Sequence, residues 1–508
     1  MTTKSVHASF ALLLITFFCN PFPLFGSGPF SQSPVFTYTT HPDLPLKKFV
    51  QGELGVLQPS YEGPALYVAY RHLIGMGFDT EEQKAVSDLW NSELGLPSTF
   101  SGELVPEQES PIAVWYDTRS RIPGASIPPP IEVYRSDGYL LYYLNCSADA
   151  FRTAAKTLTE RIAQFGAESP EVKDWLQAQD QVFANCAGGQ TIPAAAAPEL
   201  HPLIQADRAY QIAAAHFYAG NFDVARKMFE DIAKDSSSPW RHLAPYLVAR
   251  TLLRKATVDA GLNRIDWATF AQAEVQLREV LKDSSLSAVH PAAQRLLNFV
   301  RASLYPAERL QELAHAILQP HSGATLGQDL SDYMVLPLRA SRTREQQDSQ
   351  GKRDELADWT HTLRGGREGA FEYAWQKWQE TASPVWLVAS LANASQSLPA
   401  ILEAAAKVER NSPAFLTVTF HRIRLLIESG RKDEAREQLD ALLSSDRLTG
   451  LPSARNLFLA QRLQLARNLD EFLKYAPRVP VGIVYEPERG RYLLIQKRRR
   501  PSSRLLVF

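Results

Sequence analysis

Residues 206–239, ADRAYQIAAAHFYAGNFDVARKMFEDIAKDSSSP, hold two helical periods joined by one tight turn, and this pairing restricts the fold more than any other feature of the chain. Ala209, Ile212, Ala213 and His216 recur at helical spacing, and Gly220 lies at the turn. Phe222, Ala225, Phe229, Ile232 and Ala233 then form the face of a second helix. Small residues such as Ala213 and Ala225 allow close helix approach, and Phe222 and Phe229 fill the groove between pairs. A lone helical hairpin cannot bury its own apolar face, so this pattern requires neighbours of the same kind.

Looser copies follow. Trp240, Leu243, Ala244 and Leu247 repeat the first-helix spacing around Pro245, and Ala273 with Leu277 repeats the second-helix pair. A third copy spans 420–443, with Gly430 at the turn and Ala435 and Leu439 as the pair. Further helices are expected at 292–302, 306–319, 354–380, 398–409 and 454–474. The fold class is therefore all-α, a solenoid of helical hairpins with a Pro-rich irregular N-terminal segment and a short C-terminal β-hairpin.

The 206–239 segment resembles a tetratricopeptide repeat. Ala225 and Phe229 match that family's alanine–aromatic pair, while His216 stands at its earlier aromatic position. Ala209 replaces its leading tryptophan, and Pro239 arrives late. The resemblance implies stacked hairpins whose concave face binds extended peptides or partner subunits.

The start of the chain reads as an address. Lys4 is the sole formal charge before Asp43, and the apolar run 8–18 is followed by Pro21, Pro23 and the small residues Gly26, Ser27 and Gly28. This is a secretory signal peptide pattern over residues 1–28, so the mature protein is expected in an exported compartment, periplasmic or extracellular. Bulky Phe17 and Phe18 before Cys19 do not fit a lipidation site. No later stretch has membrane length without charges or breakers, so no integral membrane segment is expected after signal removal.

Residues 28–60 read as an extended arm, 64–74 as a helix stopped by Gly75 and Gly77, and Thr80 to Gln83 as a capping box. The Pro-rich stretch 95–140 reads as loop with short strands at 112–116 and 139–144. A helical hairpin follows. Phe151, Ala154, Ala155, Leu158, Ile162 and Phe165 share one face; Gly166 ends that helix; Ser169 and Pro170 start the next, which carries Val172, Trp175, Leu176 and Phe183. The two helices have similar lengths, so Cys146 before the first and Cys186 after the second meet at the open end. A Cys146–Cys186 disulfide is expected, the alternative being two buried free thiols. The stretch NCSADAFRTAAKTLTERIAQFG with the later WLQAQDQVF and Asn185-Cys186 is similar to a group of exported bacterial proteins of unestablished activity. That similarity implies export and helical repeats and supplies no catalytic residues.

Domain divisions are expected at 1–28 (signal), 29–190 (Pro-rich loops and helical hairpin), 200–319 (helical repeats), 320–353 (loop or hinge), 354–475 (second helical segment) and 476–508 (basic tail). In the tail, 481–485 and 492–495 read as a hairpin, with a basic run at 497–500.

Catalytic signatures are missing from the sequence. It has no HExxH, P-loop, GxSxG or calcium-loop pattern, and no catalytic, metal or cofactor residues are assigned. Glu109-Ser110 and Glu168-Ser169 resemble the Glu-Ser pair of lytic transglycosylases without the surrounding motif. Lys plus Arg is 54 against 55 Asp plus Glu, a balance that lacks the basic field of a nucleic-acid binder. Phe371, Ala374, Trp375 and Trp378 have helical spacing, as a core stripe or as a stacking groove. Two functions are consistent with these observations. The first is a non-enzymatic exported scaffold that binds another envelope protein or peptide; the second is an exported glycan-binding protein using Trp375 and Trp378 as platforms.

Overall fold

The computed structural model describes residues 41–62, 64–93, 110–125, 130–136, 142–259, 264–320, 323–340, 354–481, 483–486 and 491–494. The expected signal peptide and the basic run 497–500 lie outside them. Residues 98–354 form one unit, and residues 1–97 with 355–508 form another. Among the described residues the regular secondary structure is helical apart from two short antiparallel hairpins. The N-terminal helices are α1 (Lys47–Val50), α2 (Ala65–Leu73) and α3 (Thr80–Glu93).

The 98–354 unit runs through α4 (Pro111–Ser120), strands β1 (Tyr134–Ser136) and β2 (Tyr142–Leu144), α5 (Ala148–Phe165), α6 (Pro170–Phe183), α7 (Pro202–Ala219) and α8 (Phe222–Lys234). It continues through α9 (Ala244–Arg254), α10 (Trp267–Lys282), α11 (His290–Leu304), α12 (Pro306–Ile317) and α13 (Gly323–Ala340). Each helix from α4 to α13 packs on the next, which is the serial arrangement of a helical solenoid. The helix boundaries follow local chemistry. Ser169 Oγ accepts from the Val172 amide at the start of α6, and Asp266 Oδ1 accepts from Ala268 and Thr269 at the start of α10. Gly220 takes φ 90°, the left-handed turn that lets α7 double back into α8. Phe151, Ala154, Ala155, Leu158, Val172, Trp175, Leu176 and Phe183 are all buried in one core that continues through Ala213, Ala225, Phe229, Phe270, Ala273 and Leu277. Residues 184–201 connect helices that share this core.

Two segments of this unit depart from expectation. Residues 112–116, expected as a strand, lie in α4. Pro111 sits in its first turn, Trp115 is buried against Trp175 and Phe183, and Arg119 forks onto Asp180 at 3.0 and 2.6 Å. β-branched and aromatic residues gave a strand-like composition that tertiary packing overrides. Residues 320–353, expected as a loop or hinge, contain α13, whose Leu326, Leu330 and Leu336 are buried. Pro337 near its end and Gly323 and Gly327 near its start read as breakers, which hid the helix.

The other unit holds α14 (Glu355–Leu363), α15 (Ala370–Thr381), α16 (Pro384–Asn393), α17 (Pro399–Ala406), α18 (Phe415–Glu428), α19 (Lys432–Leu443), α20 (Pro452–Gln464) and α21 (Leu469–Tyr475). Strand β3 (Ile483–Glu486) pairs with β4 (Arg491–Leu494), with Tyr485 opposite Tyr492. The expected helix at 354–380 is two helices, because Gly365 and Gly369 sit at positive φ between them. The expected helix at 454–474 is likewise divided, with Asn468 capping α21 through the Glu471 amide. Helix α16, PVWLVASLAN, was not foreseen. Val385 through Leu391 are buried without interruption, so no one-sided period exists to find. Trp359 in α14 donates its indole N–H to the Val385 carbonyl at 2.8 Å and packs on Tyr70 of α2.

The expected arm at 28–60 is, over its described residues 41–60, a packed part of this unit. Leu46, Phe49, Val50, Leu54, Val56 and Leu57 are buried. The Leu57 amide donates to Thr417 Oγ1 at 2.9 Å, and that hydroxyl donates to the Gly55 carbonyl. Asp43 accepts from the backbone and hydroxyl of Ser453, and Arg364 donates to the carbonyls of Pro59 and Tyr61. The capping box of α3 is one residue earlier than expected. Asp79 and Glu82 exchange side-chain-to-amide bonds, and Glu82 also forms a buried two-pronged pair with Arg71.

Candidate functional site

The alternation of helices along the 98–354 unit places α5, α7 and α9 side by side. With Phe229 of α8 they line a small hollow of about 70 Å³, with Asp149, Ala150 and Thr153 from α5, Tyr210, Ala214, Phe217 and Tyr218 from α7, and Tyr246, Leu247 and Arg250 from α9. A second recess beside it adds Trp175, Gln179, Asp207, Gln211 and Trp240. Further along, α11 and α13 line a shallow groove of about 370 Å³ with Arg295, Asn298, Phe299, Gln328, Asp332 and Val335. Phe299 and Val335 are exposed there.

The frame of the hollow is polar and closely paired. Arg161 of α5 forks onto Asp207 of α7 at 2.6 and 3.0 Å, and the Trp240 indole N–H donates to the same carboxylate at 2.9 Å. Trp240 then stacks on Tyr210, ring centroids 4.0 Å apart. Arg208 of α7 donates to Asp174 of α6 at 2.6 Å, and Gln211 donates to the Trp175 carbonyl at 3.0 Å. At the far side, Arg250 pairs with Asp149 at 2.7 Å. Arg250 and Arg254, one turn apart on α9, lie 5.9 and 5.7 Å from the Phe217 ring centre. Arg254 donates to the carbonyls of Leu144 and Asn145.

Cys146 and Cys186 are disulfide-bonded, with Cα atoms 5.4 Å apart, at the open end of the α5–α6 hairpin. The Asn145 amide beside them donates to the carbonyls of Asn185, Cys186 and Tyr218. The bond therefore fixes the entry into α5, two turns of which supply Asp149, Ala150 and Thr153.

Three tyrosine hydroxyls in the hollow, those of Tyr210, Tyr218 and Tyr246, have no hydrogen-bond partner among the described residues. Burial raises the pKa of each, so all three stay protonated donors near neutrality. Burial opposes ionisation of Asp149, but the charge of Arg250 and hydrogen bonds from Ser147 and Arg250 outweigh it and hold its carboxyl below the usual range.

Of the residues assigned to repeat packing, Ala213, Phe222, Ala225 and Phe229 are buried, while Ala209, Ile212 and His216 are half-buried. Gly220 makes the turn. Helix α7 also buries Asp207, Arg208 and Gln211, a polar stripe that apolar spacing cannot register. Tyr210, Tyr218, Tyr246, Arg250 and Asp149 were missed as well. The available signal was the one-face spacing of Tyr246, Arg250 and Arg254 on α9, an aromatic followed by two guanidiniums.

Trp375 and Trp378 lie on α15 in the other unit. Phe371, Trp375 and Trp378 form a ladder with centroid separations of 6.5 and 4.7 Å and interplanar angles of 10° and 23°. All three are half-buried, whereas Ala374 on the same helix is fully buried, so the ladder retains solvent-facing ring surface. His216 Nδ1 lies 3.2 Å from the Asn221 amide. Among the described residues, no three His, Cys, Asp or Glu side chains gather as a metal site, and no helix is long and apolar enough to cross a membrane. Comparison with protein families, with curated proteins and with solved structures finds no match to this chain.

Proposed function

We propose that the protein is an exported, non-enzymatic scaffold of tetratricopeptide-like hairpins that binds an extended peptide segment of another envelope protein. The observation that carries this reading is the row of recesses along the stack, lined mainly by α5, α7 and α9 with Phe229 of α8 and part of α6, and then by α11 and α13. Spaced side-chain pockets on a rigid frame suit an extended chain. The disulfide and the paired charges stiffen that frame, which lowers the ordering cost of binding. A bound disulfide of this kind also suits an oxidising compartment.

The test is an array of random amidated dodecapeptides probed with the intact protein and with Ala150→Phe. Ala150 is half-buried and lines the hollow, so the larger ring fills it from the rim. Reproducible peptide binding that Ala150→Phe abolishes supports the scaffold. An empty array, or binding indifferent to the substitution, contradicts it.

A second reading rests on the Phe371–Trp375–Trp378 ladder. Flat, part-exposed rings in register are what sugar faces stack on. Glycan-array binding lost in Trp375→Ala with helicity unchanged would favour this reading; a blank glycan array removes it.

A further inference from the structure

From the hollow on α5, α7 and α9 we infer that it receives a carboxylate-bearing side chain, Asp or Glu, of an extended peptide crossing those helices. The inference rests on the peptide-scaffold reading and specifies what its central pocket selects.

Three observations converge on this chemistry. First, the hollow is the size of one side chain, about 70 Å³. Second, it holds donors with nothing to donate to. Tyr218 is 8% exposed and Tyr210 and Tyr246 are half-buried, and none of the three hydroxyls has a protein partner among the described residues. None of these hydroxyls is sealed from solvent, so each can exchange water for a ligand acceptor. Third, the local charge is unbalanced. Arg250 and Arg254 share one flank of Phe217, and Asp149 is the single carboxylate paired with them there. Burial, and then the neighbouring Arg250 charge, push the Arg254 guanidinium below its ordinary pKa, as expected of two like charges held close with one counter-charge. The nearby Asp207 does not correct the balance, since Arg161 and Trp240 occupy it.

A carboxylate entering here accepts from tyrosine hydroxyls and faces a net positive flank, and its methylene stem lies against Ala150, Ala214 and Leu247. An ammonium or guanidinium would meet Arg250 and find no free acceptor carboxylate. A neutral amide would satisfy the hydroxyls and leave the charge unanswered.

The test uses the intact protein and calorimetric titration with acetylated, amidated dodecapeptides of Gly and Ser. One carries a central Glu, one a central Gln, and a third carries Gln with a free C-terminal carboxylate. Charge-assisted hydrogen bonds predict that the Glu peptide binds about tenfold or more tightly than the Gln peptide. Tyr218→Phe, which removes one oxygen that bonds to nothing in the protein, reduces that preference several-fold at unchanged thermal stability. Arg250→Gln combined with Asp149→Asn, which removes the ion pair as a unit, abolishes it. Equal binding of the Glu and Gln peptides, improvement only with the free C terminus, or a preference untouched by both variants overturns the inference. If random dodecapeptides bind and lose binding in Ala150→Phe while Glu and Gln remain equivalent, the carboxylate assignment alone fails. If no dodecapeptide binds at all, the scaffold reading fails with it.

Discussion

Replacing Asp207 by alanine removes the acceptor at the centre of the α5–α7 contact. The carboxylate is fully buried and accepts from Arg161 Nε at 2.6 Å, from Arg161 Nη2 at 3.0 Å and from the Trp240 indole at 2.9 Å. In Asp207→Ala the Arg161 guanidinium, 8% exposed, keeps only Glu160 at 3.8 Å. Removing one member of a buried ion pair costs about 3–5 kcal/mol, because the remaining charge stays desolvated and uncompensated. For a unit of this size, each kcal/mol shifts the midpoint by roughly 2–4 °C, so the melting temperature should fall by about 6–20 °C. The double variant Arg161→Met with Asp207→Leu removes the charge as a pair and should recover most of that loss. Urea titration followed by circular dichroism measures both. A cost below about 1 kcal/mol for Asp207→Ala, or a double variant no better than the single, would refute the view that paired buried charges join consecutive hairpins.

Other consequences are as direct. Cys186→Ser opens a loop spanning a sequence separation of 40 and should cost about 2–4 kcal/mol in oxidising buffer and nothing in reducing buffer, compared by urea midpoints. Thr417→Val keeps the shape but strands the Leu57 amide and the Gly55 carbonyl, a loss of about 1–3 kcal/mol visible as faster amide exchange at 54–57. His421 is buried, its Nδ1 has no partner, and burial with the nearby Arg424 charge lowers its pKa to about 3. The unfolded chain takes up the proton at about pH 6.5 and the folded chain does not, so stability present above that pH is lost as pH falls towards 3. Between pH 6.5 and 5 the loss is about 2 kcal/mol from this group, and His421→Phe should flatten that slope relative to wild type.

The sequence was most legible where one-sided apolar spacing coincided with a stop signal. The α5–α6 hairpin, with Gly166 and the Ser169–Pro170 start, is an example, and its two flanking cysteines meet as the spacing requires. Legibility failed where burial is two-sided or polar. Helix α16 is apolar all round, and α7 hides Asp207, Arg208 and Gln211 whose partners lie on other helices. It also failed for the N-terminal arm. Leu57 meets Thr417 across 360 positions, and nothing local in a Pro-, Ser- and Gly-rich stretch declares such a partner. The tyrosines of the hollow read as ordinary aromatics because the property that matters, a hydroxyl left without a partner, exists only in three dimensions.

Hydrogen exchange with and without an array-selected dodecapeptide tests the central claim most directly. The account predicts new protection at the N-terminal turns of α5 and along α7 and α9, with α6, α8 and the Trp375 helix unchanged. Protection appearing instead on α6 and α8, or on α15, would contradict it.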